Sequence, residues 1–436
     1  MQGGHYFLLL FVGPLVSVSI SCSTEHANQT TFDVSDYGAV SGGHIDDSEV
    51  GKLCFPFNLQ LIFFLSDDMS FHPLINVISL RLQAFLKAWN AACASDTENP
   101  TLIVPPKRFL LNPIVFSGPC RAKNINFLIF GRLLAPDSPG AWKELDPSQW
   151  LAFNGVSGLN VAGPGRINGR GKAWWDQSCR DHPRLVPQAV KLVSCKNSSI
   201  SEIHFVNSSQ THVLIRDCAG INIENVLIEA PERSPNTDGI HISASHNVVI
   251  TNAIIGTGDD CVSIGDHTSN IVISYVKCGP GHGISIGSLG RSGNFVQVEN
   301  IHVSKVHLQG TTNGARIKTW QVGRGYVRRV TFEDIFFWSV KNPIIIDQNY
   351  CNKSGACKET ETGVHITDVS FNQLYGTSSS RVAMNLNCSR SVACTSIYLK
   401  SIYLRSALAG QNVTSNCTNA HGIAFGVIQP DPCLQI

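Results

Sequence analysis

A spaced pattern of apolar positions recurs along the second half of the chain: apolar, any residue, apolar, two residues, apolar, any residue, apolar. Clear copies are "INIENVLI" (221–228) and "VVITNAII" (248–255). The alternation predicts two short strands, and the two-residue gap predicts a tight corner between them. Asn suits such a corner because it tolerates unusual backbone angles. The copies begin at Ile221, Val248, Ile271, Val296, Val330, Val364 and Ile397, with a partial copy at Ile200.

The spacing of these copies predicts the fold. Their second apolar positions follow one another at intervals of 23 to 34 residues. Units of this length cannot bury their apolar face alone and must stack. The sequence therefore predicts an all-β protein, a parallel β-helix. A leucine-rich repeat lacks support because its Leu-x-x-Leu-x-Leu pattern is missing, and a β-sandwich would need hairpin turns at shorter spacing. The second apolar positions are Ile223, Ile250, Ile273, Val298, Phe332, Ile366 and Leu399.

Stacking also predicts where a functional site lies. Neighbouring coils are about 4.8 Å apart, so polar residues at one phase of successive coils become neighbours. Ionisable residues precede four consecutive second apolar positions by 12 to 16 residues. We expect one stripe on the outer face, formed by Asp238, Asp259, Asp260, His282, Arg316 and Lys318.

Two acids are adjacent in "GTGDDCVSIG" (256–265). In a regular strand Asp259 and Asp260 would point to opposite faces. Gly256 and Gly258 are expected to permit a local distortion that turns both acids outward. A disulfide from Cys261 to the following coil is expected to anchor it.

The stripe combines residue types that suit one reaction. Alone, each motif has an ordinary explanation, either a polar turn or a solvated strand face. Together they supply what glycosidic hydrolysis needs: one carboxylic acid for the leaving oxygen and another carboxylate to activate water or attack. Clustered carboxyls raise one another's proton affinity, so one of them can stay protonated. Nearby cations, especially the Arg fork, suit an anionic sugar. These residues predict an anionic polysaccharide as the partner.

Composition narrows the remaining classes of protein. The chain has 436 residues, of which 43% are hydrophobic and 15% charged, with a net charge of +1. This is a globular composition, and nothing in the charge favours nucleic-acid binding. Residues 1–23 predict a secretory signal peptide, with a short membrane anchor as the alternative. The apolar core is short for a membrane span. We expect a secreted, monomeric protein without a membrane segment.

The cysteines agree with a secreted protein. There are 15 of them, without CxxC metal spacing. We expect local disulfides rather than a metal centre. Seven glycosylation sequons support the same compartment. The predicted pairs are Cys93/Cys120, Cys179/Cys195, Cys261/Cys278, Cys351/Cys357, Cys388/Cys394 and Cys417/Cys433, which leaves Cys22, Cys54 and Cys218; the sequons lie at Asn28, Asn197, Asn207, Asn352, Asn387, Asn412 and Asn416.

Four segments of the stripe resemble the signature blocks of polygalacturonases, the pectin-cleaving glycoside hydrolases of family 28, in their plant form. The segments "NPIIIDQNYC" (342–351) and "WWDQSC" (174–179) resemble that form too. The resemblance implies a right-handed parallel β-helix and inverting hydrolysis of α-1,4-linked galacturonan in the cell wall, without a cofactor or metal. The four blocks are "SPNTDGIH" (234–241), "GDDCVSIG" (258–265), "GPGHGISIGSLG" (279–290) and "NGARIKTW" (313–320).

The same resemblance assigns roles to residues. Asp259 would be the general acid, while Asp238 and Asp260 would activate the water. His282 would support the protonation of the acid. Endo cleavage is favoured over exo cleavage, although the subsite loops leave the mode open. The expected substrate-binding residues are Asn236, Arg316, Lys318 and Tyr350.

Two alternative functions stay open. A pectate lyase would use the same fold, with the acids holding Ca²⁺ and an arginine as the base. A non-catalytic pectin-binding wall protein would need cations rather than three acids. Loss of turnover with retained affinity in Asp259→Asn would distinguish an enzyme from a binder.

The N-terminal family block is split in this chain. "YGAVSGGHIDDS" (37–48) and "QAFLKAWNAAC" (83–93) are separated by residues 49–82, which are rich in Phe, Leu and Ile. Long apolar loops are poor candidates for ordered structure. We interpret the segment as translated intron sequence, with a lineage-specific insertion as the alternative; a transcript with these codons would refute the first. Apart from this segment, residues 32–436 are predicted to form the β-helix catalytic domain, closed by a short N-terminal capping helix.

Overall fold

The computed structural model describes residues 30–42, 84–143, 145–176, 186–351, 357 and 360–436. The proposed signal peptide, residues 1–23, and the apolar segment 49–82 lie outside the described residues. Both stay predictions.

Strands dominate the described chain, with two short α-helices, α1 (Ala84–Ala94) and α2 (Lys172–Trp175), and a 3₁₀ helix (Pro139–Trp142). The strands are β1 (Thr31–Asp33), β2 (Thr101–Val104), β3 (Arg108–Leu110), β4 (Ile114–Ser117), β5 (Ile125–Ile129), β6 (Arg132–Leu134), β7 (Gln149–Asn154), β8 (Leu159–Ala162), β9 (Arg166–Asn168), β10 (Gln188–Val193), β11 (Lys196–Ser201), β12 (His204–Val206), β13 (Val213–Arg216), β14 (Ala219–Glu224), β15 (Leu227–Glu229), β16 (Ile240–Ser243), β17 (His246–Gly256), β18 (Val262–Ile264), β19 (Thr268–Cys278), β20 (Ile284–Leu289), β21 (Phe295–Gln309), β22 (Asn313–Trp320), β23 (Arg324–Val340), β24 (Asn342–Tyr350), β25 (His365–Ser378), β26 (Val382–Asn387), β27 (Cys394–Ser406), β28 (Thr414–Thr418) and β29 (Ala420–Gln429).

The strands form two parallel sheets that run along one solenoid. Each strand pairs with its counterpart one coil away, so that Ile223 is the partner of Ile250, and Ile250 is the partner of Ile273. These columns of buried apolar residues fill the interior. The parallel β-helix predicted from the repeat is confirmed. The 11-stranded sheet contains β4, β7, β10, β13, β16, β18, β20, β22, β24, β26 and β28, and the 18-stranded sheet contains the others.

The predicted corner within each repeat is a single residue in the left-handed region. Asn225 (φ 54°) and Asn252 (φ 50°) have this conformation. Asn is tolerated there because its short polar side chain can bond locally. Other residue types occupy the same corner where the stack imposes it. The column consists of Glu202, Asn225, Asn252, Tyr275, Lys305, Asp334, Gln373 and Ser401.

Two copies of the repeat have a different register from the predicted one. Ile273 pairs with Val303 rather than Val298, and Phe332 pairs with Phe371 rather than Ile366. Both copies therefore begin five residues later than expected. The cause is that β21 and β25 also carry inward apolar pairs before the corner, with the same two-residue gap. The pattern alone is therefore ambiguous by five residues.

Helix α1 covers the N-terminal end of the apolar interior. Phe85 and Trp89 are fully buried, and the Trp89 indole N–H donates to the Ser117 carbonyl oxygen at 3.0 Å. Terminal coils of a solenoid need such a cover, because they have no neighbour on one side. The predicted capping helix is confirmed.

The described cysteines form five disulfides and two buried free thiols. Cys195 belongs to the second group, so the predicted pair with Cys179 is wrong. The Cys195 side chain lies inside the solenoid, where its backbone N–H donates to the Cys218 sulfur of the next coil at 3.3 Å. The other five predicted pairs are confirmed: Cys93–Cys120, Cys261–Cys278, Cys351–Cys357, Cys388–Cys394 and Cys417–Cys433.

Candidate active site

The predicted stripe lies on the 11-stranded sheet, along the consecutive strands β16, β18, β20 and β22. Asp238, Asp260 and His282 each lie two residues before the first residue of a strand. Arg316 and Lys318 lie within β22, on the face opposite the buried Ala315 and Ile317. Stacking therefore brings together residues that are up to 80 positions apart in sequence.

The adjacent acids lie in a bend that depends on a glycine. A Cβ atom on Gly258 would lie 1.9 Å from the Ser234 carbonyl oxygen, so any larger residue would displace the backbone. Residues 257–260 are outside the strands, and side-chain alternation does not apply to them. Ligand atoms of Asp259, Asp260 and His282 consequently lie within 4.8 Å of one another. The expected local distortion is confirmed.

Asp260 is held as a carboxylate by two cations. One oxygen accepts from Arg316 at 2.6 Å and from the Ser285 hydroxyl at 2.7 Å, and the other accepts from Lys318 at 2.9 Å. All three charged side chains are at most 12% exposed. Desolvation alone would raise the pKa of Asp260, but the Arg316 and Lys318 charges outweigh it and lower the pKa. These two cations thus neutralise an acid of the protein itself.

Asp238 has the opposite electrostatic setting. Its Oδ2 accepts from the Ser263 hydroxyl at 2.6 Å, and this hydroxyl lies 2.7 Å from His241 Nδ1. Desolvation, followed by the charges of Asp259 and Asp260, raises the pKa of Asp238 well above its ordinary value. Asp238 therefore binds a proton more readily than its neighbour Asp260.

Asp259 and His282 face an open cleft. Asp259 Oδ1 accepts from the Asp260 backbone N–H at 2.8 Å and lies 3.0 Å from His282 Nδ1. Their side chains are 20% and 38% exposed, so both groups can reach a bound molecule. The predicted Asn236 lines the same cleft, as does Trp175 from α2.

Tyr350 lies at the end of β24, beside the cations. Its ring centroid is 5.6 Å from Lys318 Nζ and 5.5 Å from the ring of Trp320. The structure thus brings Tyr350 to the stripe. Its contact with a substrate stays a prediction.

Sequence reasoning missed several side chains of the site. Ser263, Ser285 and His241 contact the acids or one another, and Arg233 lines the cleft. A signal for the first three exists in the sequence. Each lies three residues after Asp238, Asp260 or His282, at the same register position on its strand. Arg233, in an irregular loop, has no such signal.

The donor set is a poor match for a calcium ion. Asp259, Asp260 and His282 are close enough to share a metal. However, Ca²⁺ takes oxygen ligands, and one of these three residues offers nitrogen. Both oxygens of Asp260 already accept from cationic donors, which would repel a further cation. The arrangement favours acid/base chemistry over the calcium-dependent lyase alternative.

Comparison with known proteins identifies the family. The model of the glycosyl hydrolases of family 28 matches residues 93–427, which include every site residue described above. The chain belongs to family 28 of the glycosyl hydrolases. The resemblance read from the four motifs is confirmed, and the protein is a glycoside hydrolase.

Family 28 relatives cover most of the chain. A polygalacturonase of Malus domestica is 41% identical over 354 residues, which are 80% of this chain and 75% of the relative. Two solved structures share the fold with a TM-score of 0.68. The endo-xylogalacturonan hydrolase of Aspergillus tubingensis is 23% identical and covers 79% of this chain and 95% of its own. The exopolygalacturonase of Thermotoga maritima is 17% identical and covers 91% of each chain.

Proposed function

We propose that this family 28 hydrolase is a polygalacturonase that cleaves α-1,4-galacturonosidic bonds of homogalacturonan with inversion. One observation carries the proposal: three acids and two cations converge beside a single open cleft. Chemistry on a sugar needs the acids, and recognition of a uronate favours the cations. The 41% identical Malus domestica polygalacturonase supports the choice of substrate.

Asp259 is the proposed general acid. It faces the cleft, and the His282 imidazole lies 3.0 Å from its Oδ1, where it can hold or supply the proton. Protonation of the glycosidic oxygen by Asp259 would let the bond break. His282 therefore takes the supporting role expected from the motif.

Asp238 and Asp260 are both proposed to act on the attacking water, but in different roles. A general base works best when its pKa lies near the operating pH. The raised pKa of Asp238 makes it the stronger base of the two. Asp260, kept ionised by Arg316 and Lys318, would orient the water by accepting a hydrogen bond.

Substrate binding is assigned to the donors that the acids leave free. An Arg guanidinium has five N–H donors and a Lys ammonium has three, so contacts with Asp260 do not exhaust either group. We propose that Arg316 and Lys318 also bind a galacturonate carboxylate, with Asn236 and Tyr350 as further contacts. Arg233, exposed on the wall of the cleft, is a candidate for a second carboxylate.

Secretion to the cell wall is proposed for the same protein. Five disulfides in the described chain fit an oxidising compartment. Among the described residues, no helix has the length and apolarity to cross a membrane. The signal peptide over residues 1–23 and a monomeric state complete this proposal.

Products released from polygalacturonic acid test the proposal. We expect saturated oligomers of mixed length, which indicate endo hydrolysis, with the inverted anomer seen first by NMR. Asp259→Asn should reduce kcat by about 10²-fold to 10⁴-fold, since it removes general acid catalysis, while the polymer still binds. A UV-absorbing unsaturated product that disappears with a chelator would show a lyase instead. Unchanged turnover in Asp259→Asn would refute the assigned acid.

A further inference from the structure

Two serine hydroxyls form matching contacts on neighbouring coils. His241, Ser263, Ser285 and Arg316 occupy paired register positions of β16, β18, β20 and β22. Arg316 Nε donates to Ser285 Oγ at 2.8 Å, and Ser285 donates to Asp260. Ser263 donates to Asp238 in the same way, but its second partner is His241 Nδ1 on the preceding coil, whereas Arg316 reaches Ser285 from the following coil. An imidazole therefore contacts this serine, where Ser285 has a guanidinium.

We propose that His241 is a positioning residue for Asp238, because its Nδ1–H donates to Ser263 Oγ and directs the serine proton onto Asp238 Oδ2. This role rests on the proposed function of Asp238 as the base. His241 does not touch the substrate in this scheme. It acts only through Ser263.

The hydrogen-bond roles explain why this arrangement favours the carboxylate. Ser263 has one O–H and two acceptor lone pairs. With Asp238 ionised, the Nδ1–H and the serine O–H both have partners. With Asp238 protonated on Oδ2, its O–H and the Nδ1–H both point at Ser263 Oγ, and the serine proton loses its acceptor. With the proton on Oδ1, the serine donates to a neutral acid, and this hydrogen bond is weaker than one to a carboxylate. The contact thus opposes protonation of Asp238 at either oxygen.

The surroundings keep the His241 ring neutral. Desolvation lowers the pKa of His241 to about 4; the Lys318 charge acts in the same direction, and Asp260 opposes it. Around Asp238, the acids Asp259 and Asp260 raise its pKa, whereas Ser263 and Lys318 lower it. A neutral imidazole has one N–H. Only the form with the hydrogen on Nδ1 can donate to Ser263 Oγ while the Ser263 hydroxyl donates to Asp238.

The pH dependence of kcat/KM on polygalacturonic acid tests this role. In Ser263→Ala the acidic limb should move to higher pH by about one unit, because a hydrogen bond to a charged group is lost. His241→Leu should move the limb in the same direction by less. His241→Asn should restore most of the wild-type profile, since its amide N–H can take the place of Nδ1–H.

Ser285→Ala is the matched control. It removes the equivalent hydroxyl from Asp260, which Arg316 and Lys318 keep ionised, so the acidic limb should not move even if kcat falls. Thermal unfolding of each variant verifies that it is folded. An unmoved limb in His241→Leu, with an active wild type, would overturn the role of His241, whether or not Ser263→Ala moves the limb. An equal shift in Ser285→Ala would overturn it as well. A wild type that releases no product would instead refute the proposed function, and the role of His241 with it.

Discussion

Asp238 and Asp260 lie on neighbouring coils, and each accepts a hydrogen bond from a serine hydroxyl of the next coil, at 2.6 Å and 2.7 Å. Their second neighbours differ. Ser285 accepts from the Arg316 guanidinium, and both Arg316 and Lys318 donate to Asp260. Ser263 contacts the neutral ring of His241 instead, through Nδ1 at 2.7 Å. In this shared backbone setting, desolvation and the neighbouring acids raise the pKa of Asp238, whereas Arg316 and Lys318 outweigh desolvation and lower the pKa of Asp260.

This difference shows how a solenoid can give two acids of one site different properties. Stacked coils place the two acids in equivalent backbone positions, and the side chains around each acid then set its pKa. Pairs of acids whose pKa values are pushed apart are a known route to separate catalytic roles. Here the separation arises from the desolvation of Asp238 and its two acidic neighbours on one side, and from the Arg316 and Lys318 charges beside Asp260 on the other.

The free energy of unfolding should respond differently to Asp260→Asn and to Asp238→Asn, and this is the largest effect expected outside catalysis. Asp260→Asn leaves Arg316 and Lys318 buried without their carboxylate. We expect it to lower the free energy of unfolding by about 3–5 kcal/mol. Asp238→Asn removes a charge that Asp259 and Asp260 repel, so its stability at pH 7 should equal or exceed that of the wild type. Chemical denaturation measures both. Equal losses in the two variants would contradict the opposite electrostatic settings.

The pH dependence of the free energy of unfolding should also differ between the surroundings of Asp238 and those of Asp260, by a smaller amount. Between pH 6.5 and about 4, the unfolded chain protonates its histidines, while buried His212 and His241 stay neutral. Their contributions are complete above pH 6.5 and are lost as pH falls, at up to about 1.4 kcal/mol per pH unit for each group. Asp260 has a lowered pKa, so its contribution is complete above the ordinary Asp range and is lost as pH falls through that range and below it.

Asp238 affects the pH dependence of the free energy of unfolding in the opposite direction. Its raised pKa means that the folded state binds a proton that the unfolded state does not, so its contribution is present at low pH and is lost as pH rises. Asp238→Asn should therefore steepen the rise of stability with pH, whereas His241→Asn should flatten it. Unfolding free energies at a series of pH values measure both slopes. Parallel curves for these two variants would contradict the account.

The sequence predicted the solenoid and the members of the stripe because both depend on short patterns. Columns such as Ile223, Ile250 and Ile273 repeat a local rule that stacking makes global. The register was wrong at Val298 and Ile366, since consecutive apolar pairs within one coil look alike. The residues of the predicted stripe still come together, because the motifs mark the starts of strands independently of that register.

The partners within the site were less accessible to sequence reasoning. Arg316 and Lys318 were expected to meet a substrate, but their first partner is Asp260, 56 and 58 residues earlier. Only packing of side chains across three coils decides such a contact. The stripe was predicted from ionisable residues 12 to 16 positions before an apolar position, which leaves out the Ser263 hydroxyl and also His241, nine positions before Ile250. The wrong Cys179–Cys195 pair has a similar cause: spacing in sequence does not reveal that the Cys195 side chain points into the core.

Infrared spectroscopy of the carboxyl groups tests the central claim, that Asp238 is the group whose protonation limits activity at low pH. Difference spectra between the wild type and Asp238→Asn should show one protonated-carboxyl C=O band. This band should disappear, as pH rises, with the same midpoint as the acidic limb of kcat/KM. A difference spectrum without this band, or a difference band that titrates away from the limb, would contradict the claim.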